Sequence, residues 1–311
     1  MLEPDIHLRT DFKHDFVIVV EVNAGNPNGD PDNRGLPRIL PGSGHGLISK
    51  GSITRQIRDA VNDHYKGQPR MGIYVNNDLA LNLKNQDAYA EAGVTLKKHN
   101  LRTIADVTSV LTSTYFDIRV LGGVMSTGVN AGTVRAAISI NWGQSVDPIE
   151  IQVHAITRKA LVKEDEMEAR VVKGKLKDAK TSMLGSSSLV PFAVYLITGS
   201  YDPTAGKLNG VDSRDLKIFW EVLETMWRPN TGITTRATYI FSHQNPMGSL
   251  APRKLQELVK VELKDERQPA TKFSDYLITL GELPAKQREL LKDVTELQAG
   301  FPLPQIILTK L

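Results

Sequence analysis

Apolar positions along this chain alternate between short runs and helical stripes. Residues 16–23 (FVIVVEVN) form a nearly continuous β-branched run, which predicts a buried strand. The period then changes. Ile53, Ile57, Ala60, Val61 and Tyr65 recur at helical spacing, which predicts a helix over 49–65 with Ser49 as its cap and Gly67 as its stop. A second helix is predicted over 213–227, with Leu216, Phe219, Trp220, Leu223 and Trp227 on one side. Further strands are expected at 133–142, 152–162, 191–201, 238–243 and 276–280, the first two separated by Gly143 and Asp147-Pro148. Short helices are expected at 103–111 and 253–259, and a charged one at 286–294.

The order strand, helix, strands, strand, helix, strand predicts an α+β chain. Its closest pattern is the split βαβ arrangement of ferredoxin-like and RNA-recognition folds, an antiparallel sheet with two helices on one face. Two stretches interrupt that core. Residues 68–117 are polar, broken by Asn76-Asn77, Asn85 and Asn100, and read as an inserted subdomain. Residues 163–180 are densely charged and lead into Gly185-Ser186-Ser187-Ser188, which reads as flexible.

The first strand runs into Asn26-Pro27-Asn28-Gly29-Asp30-Pro31-Asp32. Two prolines without donors and an Asn-Gly pair stop the strand there. A long loop between a first strand and a first helix points to function, because it is ordered without building core. Asn28, Asp30 and Asp32 have the first spacings of a calcium loop, but Asn33 stands where glycine is needed and Ile39 where the bidentate Glu belongs.

Composition narrows the class. Hydrophobic content of 41% and charged content of 23% describe a globular chain, and no apolar run is long enough to span a bilayer. With no secretory leader at Met1, a cytoplasmic location is expected. Zero cysteines exclude disulfides, thiolate metal sites and a thiol nucleophile. A net charge of +3 means that any polyanion site must arise from local segregation of charge.

Three segments carry such chemistry. Lys50, Thr54, Arg55 and Arg58 open the first helix and fall on one side of it by spacing, a pattern suited to phosphate and equally to an ordinary solvated face. The glycine-rich stretch 122–135 could aim backbone donors at an anion or be a structural turn; it lacks the ending of a P-loop. Lys173, Lys175 and Lys177 alternate, so an extended arm would carry them on one side along a phosphate backbone; a charged loop is the alternative. No nucleophile or zinc-protease motif is readable.

Several blocks together resemble a known family. NPNGDPD, followed by LPRILPGSGHGLIS (36–49) and RQIRD (55–59), is similar to the start of the crRNA-binding backbone subunit of the type I-C CRISPR Cascade. YFDIRVLGGVMSTGVNAGTVR (115–135), DPIEIQVHAITR (147–158), LVPFAVY (189–195) and FSDYLI (273–278) resemble later blocks in the same order. The resemblance implies an RNA-recognition-type palm with inserted fingers and a projecting thumb. On this chain that division gives palm at 1–66, fingers at 67–118, central palm at 119–162, thumb at 163–190, and the second half of the palm with a C-terminal extension at 191–311.

It also implies a non-catalytic ribonucleoprotein subunit for antiviral defence, without cofactor, that polymerises as a helical homo-oligomer along crRNA. The guide is then presented to target DNA, beside a crRNA-processing subunit, a large subunit and a small subunit, with a recruited helicase-nuclease doing the cutting. The RNA-binding residues implied are Ser49, Lys50, Ser52, Arg55, Arg58, Gly123, Met125, Ser126, Asn130, Thr133, Arg135, Arg158, Lys173, Lys175, Lys177 and Met183. Protein contacts would hold phosphate and ribose while base pairing supplies specificity, consistent with only 6% aromatic residues and no evident stacking platform. The alternative is a metal-dependent ribonuclease backbone subunit of the type III kind, using Asp30 and Asp32.

Overall fold

The computed structural model describes residues 6–95, 100–158, 170–172, 175–177, 183–298 and 307–308. Its elements run β1 (His14–Gly25), β2 (His45–Ile48), α1 (Lys50–Tyr65), α2 (Leu81–Glu91), α3 (Leu101–Thr114), α4 (Phe116–Leu121), β3 (Ile138–Ile140), β4 (Gly143–Pro148), β5 (Gln152–Arg158) and β6 (Met183–Tyr201). They continue with α5 (Pro203–Asn209), α6 (Ser213–Thr225), β7 (Ile233–His243), α7 (Pro252–Gln256), β8 (Val259–Leu263), β9 (Tyr276–Leu280), α8 (Ala285–Arg288), β10 (Leu291–Gln298) and β11 (Ile307–Leu308). Among the described residues no helix is long and apolar enough to cross a membrane.

The fold is mixed α/β around one large antiparallel sheet. Nine strands follow the order β11-β10-β7-β1-β6-β4-β2, with β3 and β5 also paired to β6. The nearly continuous apolar run of β1 is explained by burial on both faces. Phe16, Ile18, Val20 and Val22 face α1 and α6, meeting Ile53, Ile57, Leu216, Phe219 and Trp220. Val17 and Val19 face the other way, toward Leu255, Val259, Val261 and Tyr276 from α7 and the β8–β9 hairpin. Phe16 packs edge-on against Phe219 and Trp220 at 5.7 and 5.3 Å between ring centroids. Each such buried side chain contributes about 1.5–3 kcal/mol. Glu21, the lone charge buried in the run, is paired with Arg236 on β7.

A separate apolar cluster lies under α2 and α3, where Tyr74, Ala88, Tyr89, Val107 and Leu111 meet Ile118, Met125 and Val134. It is tied to the main body by an ion pair out of solvent: Arg119 Nη2 and Nε reach the Asp215 carboxylate at 2.6 and 2.9 Å. Asp215 also closes the capping box of α6 with Asp212.

Four local expectations are corrected. The charged helix expected over 286–294 is confined to α8 at Ala285–Arg288, and from Leu291 the chain is strand β10, because Val294 and Leu297 are drawn inward as β10 pairs with β7. Residues 185–188 are strand, with Gly185 opposite Ile156 and Ser188 opposite Val153, so partners override the local flexibility of glycine and serine. The expected strand 133–142 is interrupted: 133–134 closes the glycine-rich loop and only 138–140 joins the sheet. The helix expected at 253–259 ends at Gln256, and Val259 begins a strand.

Candidate nucleic-acid interface

The loop after β1 is a built structure sewn to the start of α1. Ser49 is extended (φ −68°, ψ 148°) and its Oγ accepts the Ser52 N–H at 3.2 Å, an N-cap. The Ser49 N–H donates to Asn28 Oδ1 at 2.7 Å, and the Ser52 hydroxyl to Pro27 O at 3.4 Å. Further along, Asp30 accepts the Asp32 N–H at 3.2 Å and pairs with Arg38 at 3.0 Å. Asn26 Nδ2 and the Ser188 hydroxyl both donate to Gly35 O, at 2.8 and 3.1 Å, which ties the loop to β6. Lys50 then emerges exposed as the first residue of α1. Among the described residues no three His, Asp or Glu side chains gather as a metal-ligand cluster.

The predicted cationic side of α1 divides in two. Lys50 and Arg55 are exposed, Arg55 sharing Asp59 at 2.8 Å with Arg228 at 3.7 Å. Thr54 and Arg58 turn inward. Position 54 stands three and seven residues before Ile57 and Val61, so it borders the apolar stripe, and its hydroxyl is absorbed by Lys50 O at 3.0 Å. Arg58 meets Asp117 of α4 at 2.9 Å, with the carboxylate wholly buried. The same carboxylate takes the N–H groups of Tyr74 and Val75 at 2.7 and 3.0 Å. Arg58 is therefore an internal strut between α1 and the α2–α3 layer.

The glycine-rich stretch is a closed loop whose stem pairs Gly123–Val124 with Thr133–Val134. It starts at Gly122, where φ is +70° and an added Cβ would lie 2.6 Å from Ala136 N and 2.7 Å from Val134 O. Only glycine fits there. Several donors of the loop are already used: Met125 N–H bonds Gly132 O at 2.9 Å, Ala131 N–H bonds Met125 O at 2.8 Å, and Asn130 Oδ1 accepts the Gly132 N–H at 2.9 Å. Asn82, Asn85, Tyr89 and Thr108 hold it from outside, at 3.0, 2.7, 2.6 and 2.9 Å. Met125 is core, 2% exposed. Exposed surface is offered by Ser126 and its two successors, by Thr133, and by Arg135, which pairs with Asp202 at 2.8 Å.

β5 and the first half of β6 make a two-stranded ribbon whose far end pairs Arg158 with Met183. Lys175 and Lys177 lie two apart on a short strand paired with Arg170–Val172. Lys173 falls outside the described residues. The structure thus gathers Asn28, Arg38, Ser49, Ser52 and Lys50 at one end of α1, and the glycine-rich loop on α2 and α3. Arg58 and Asp117 couple the two layers. Arg38 and Asp117 escaped the sequence reading, and Asn28 entered it only through the calcium-loop spacing, since each acts through a partner distant in sequence.

Taken together, the chain is a mixed α/β protein with a long two-stranded ribbon and a backbone-rich polar loop beside an exposed lysine. Residues 12–281 match the profile of the family described as CRISPR-associated protein Cas7, and the chain belongs to that family. Among solved structures it resembles a chain of a "CRISPR RNA-guided surveillance complex, pre-nicking", at 13% identity and a TM-score of 0.45, covering 74% of this chain and 78% of that one. A chain of another "CRISPR RNA-guided surveillance complex" aligns at 11% identity with a TM-score of 0.39, covering 74% and 68%. No curated protein sequence matches it.

Proposed function

We propose that this chain is the guide-RNA-binding backbone subunit of a type I CRISPR surveillance complex, of the I-C kind, in which copies stack along one crRNA and present it to target DNA. The observation that carries this reading is membership of the Cas7 family across residues 12–281. The ordered motif blocks favour the I-C subtype, and the α1- and α6-covered face of the sheet supports an RNA-recognition-type palm. In this reading Lys50, Arg55 and Arg135 meet phosphates, and Ser126 and Thr133 meet sugar and phosphate oxygens. Arg58 and Met125 act from inside, by fixing α1 and the glycine-rich loop. In this reading the fingers are residues 67–118, which include α2 and α3, and the thumb is residues 163–190, which follow β5 in the chain.

The subunit holds its guide without cutting. Asp30 commits its carboxylate to Arg38 and to the Asp32 N–H, which suits a structural loop better than a reactive one. Partners are then the crRNA, further copies of the chain, the other Cascade subunits and a separately recruited helicase-nuclease.

The test is a salt titration of RNA binding with the wild type and a Lys50→Ala, Arg55→Ala, Arg135→Ala triple variant. The proposal expects uniform loss of affinity across guide sequences and a shallower log–log salt slope, by about one per phosphate contact removed. Equal affinity and equal slope for the two proteins would overturn the assignment of the contacts.

A further inference from the structure

The turn between β3 and β4 holds a tryptophan out in solvent. Asn141 is anchored twice to Thr198, its N–H to the carbonyl at 2.8 Å and its Nδ2 to the hydroxyl at 2.9 Å. On the other side Gly143 is closed in: an added Cβ would lie 2.8 Å from Ile197 Cγ1 and 3.3 Å from Ile48 Cβ. Trp142 sits between these two fixed residues and is 53% exposed, whereas Trp220 and Trp227 are 2% and 7% exposed. A large aromatic left half in water on a rigid turn forgoes burial that the other two obtain.

Its surroundings define what it can meet. β4 pairs with β2 so that Gly143 stands opposite Ile48. That pair ends both strands: Trp142 directly precedes one of them and Ser49 directly follows the other, with Lys50 next in the chain. Trp142 therefore enters the sheet at the end where the exposed Lys50 begins α1. The residues around it are polar or closed: Asn141 and Gln144 are exposed, Gly143 and Ile48 buried. The exposed apolar pair Ile39 and Leu40 lies across Gly46 and His45, at the opposite end of β2. A ring among polar groups, at the sheet end where a cation begins α1, is not the contiguous apolar patch of a protein interface. A π face and a positive charge at one sheet end match a nucleotide, with its base on the ring and its phosphate on the ammonium.

We infer that Trp142 is a stacking platform for one nucleobase of bound RNA, with Lys50 holding an adjacent phosphate. This rests on the RNA-binding reading above and adds to it a contact with a base. Stacking of this kind tolerates any sequence, because every base has a π face.

All three tryptophans emit, but Trp220 and Trp227 are buried from contact quenching, so the emission that an oligonucleotide quenches in wild type and not in Trp142→Ala reports on Trp142. The experiment titrates wild type, Trp142→Ala and Trp142→Phe with a labelled oligouridine and with an abasic oligonucleotide of equal length, reading tryptophan emission and label anisotropy. Oligouridine should quench the wild type. Trp142→Ala should bind it about tenfold more weakly, Trp142→Phe within about threefold of wild type, with unchanged salt slopes. The abasic probe should bind wild type and Trp142→Ala alike, without quenching. Unchanged emission together with equal oligouridine affinity in Trp142→Ala would overturn the stacking role and leave the RNA-binding reading standing. Failure of the wild type to bind either probe would remove both. Emission that shifts with protein concentration in the absence of RNA would assign the ring to a contact between copies, and so overturn the inference.

Discussion

The guanidinium of Arg58 meets the buried carboxylate of Asp117 at 2.9 Å, although 59 residues separate them in sequence. By spacing alone Arg58 belongs with Lys50 and Arg55 as a surface cation. Its partner makes it part of the framework.

Arg58 and Lys50 should therefore fail in different ways. Arg58→Ala leaves the Asp117 carboxylate buried without its counter-charge, and should lower unfolding free energy by about 3 kcal/mol. Lys50→Ala should leave the denaturant midpoint unchanged and weaken RNA binding. Urea unfolding monitored beside RNA titration separates the two. Equal loss of stability in both variants would contradict the division.

Gly122 is the strictest point of the glycine-rich loop. Gly122→Ala forces a side chain into a positive-φ conformation and against the backbone of Val134 and Ala136, so it should destabilise by more than about 1 kcal/mol. Gly128 also has positive φ (+73°), but an added Cβ would meet the terminal amide of Asn82, a side-chain end that can give way at the cost of its bond from the Val129 N–H, rather than backbone. Gly128→Ala should therefore cost less. Thermal melts of the two variants check the order.

One buried group and one half-buried group give stability an opposed pH dependence. The His14 ring is out of solvent, with its nitrogens 2.9 Å from Ser242 Oγ and 2.8 Å from Arg9 O. Burial, above all, pushes its pKa from 6.5 down to about 4. The unfolded chain then binds the extra proton first, so stability is lost as pH falls from 6.5 toward 4, on the order of 3 kcal/mol in total. Glu224 runs the other way. Burial, with Glu221 beside it, raises its carboxyl to about 6, so its ionisation removes stability as pH rises from 4.5 toward 6. Unfolding measured from pH 4 to 7 should rise less steeply in His14→Gln and more steeply in Glu224→Gln. A His14→Gln profile that follows the wild type would contradict the buried neutral imidazole.

Much of the framework was legible in the residues. The β-branched run of β1, the stripe and cap of α1, and the Leu216–Trp220 face of α6 all act through short-range pattern, and the structure carries them as read. What was not legible depends on partners elsewhere in the chain. β10 looks helical until β7 supplies a ladder for it, and Gly185 to Ser188 look loose until β5 does. The same holds for the site. Lys50 could be found by its place at a helix start, whereas Asn28 and Arg38 gain their roles from Ser49 and Asp30. Trp142 reads in the sequence as the last residue of the strand expected over 133–142. Its meaning comes from the register that sets Gly143 against Ile48.

The most direct measurement is to co-express the full chain with a CRISPR array, purify it, and map nuclease protection on whatever RNA accompanies it. A cation-lined subunit that stacks copy upon copy should retain array-derived RNA with evenly repeated footprints, released as salt is raised. A monomer that emerges free of nucleic acid from cells making abundant guide transcript would contradict the account at its root.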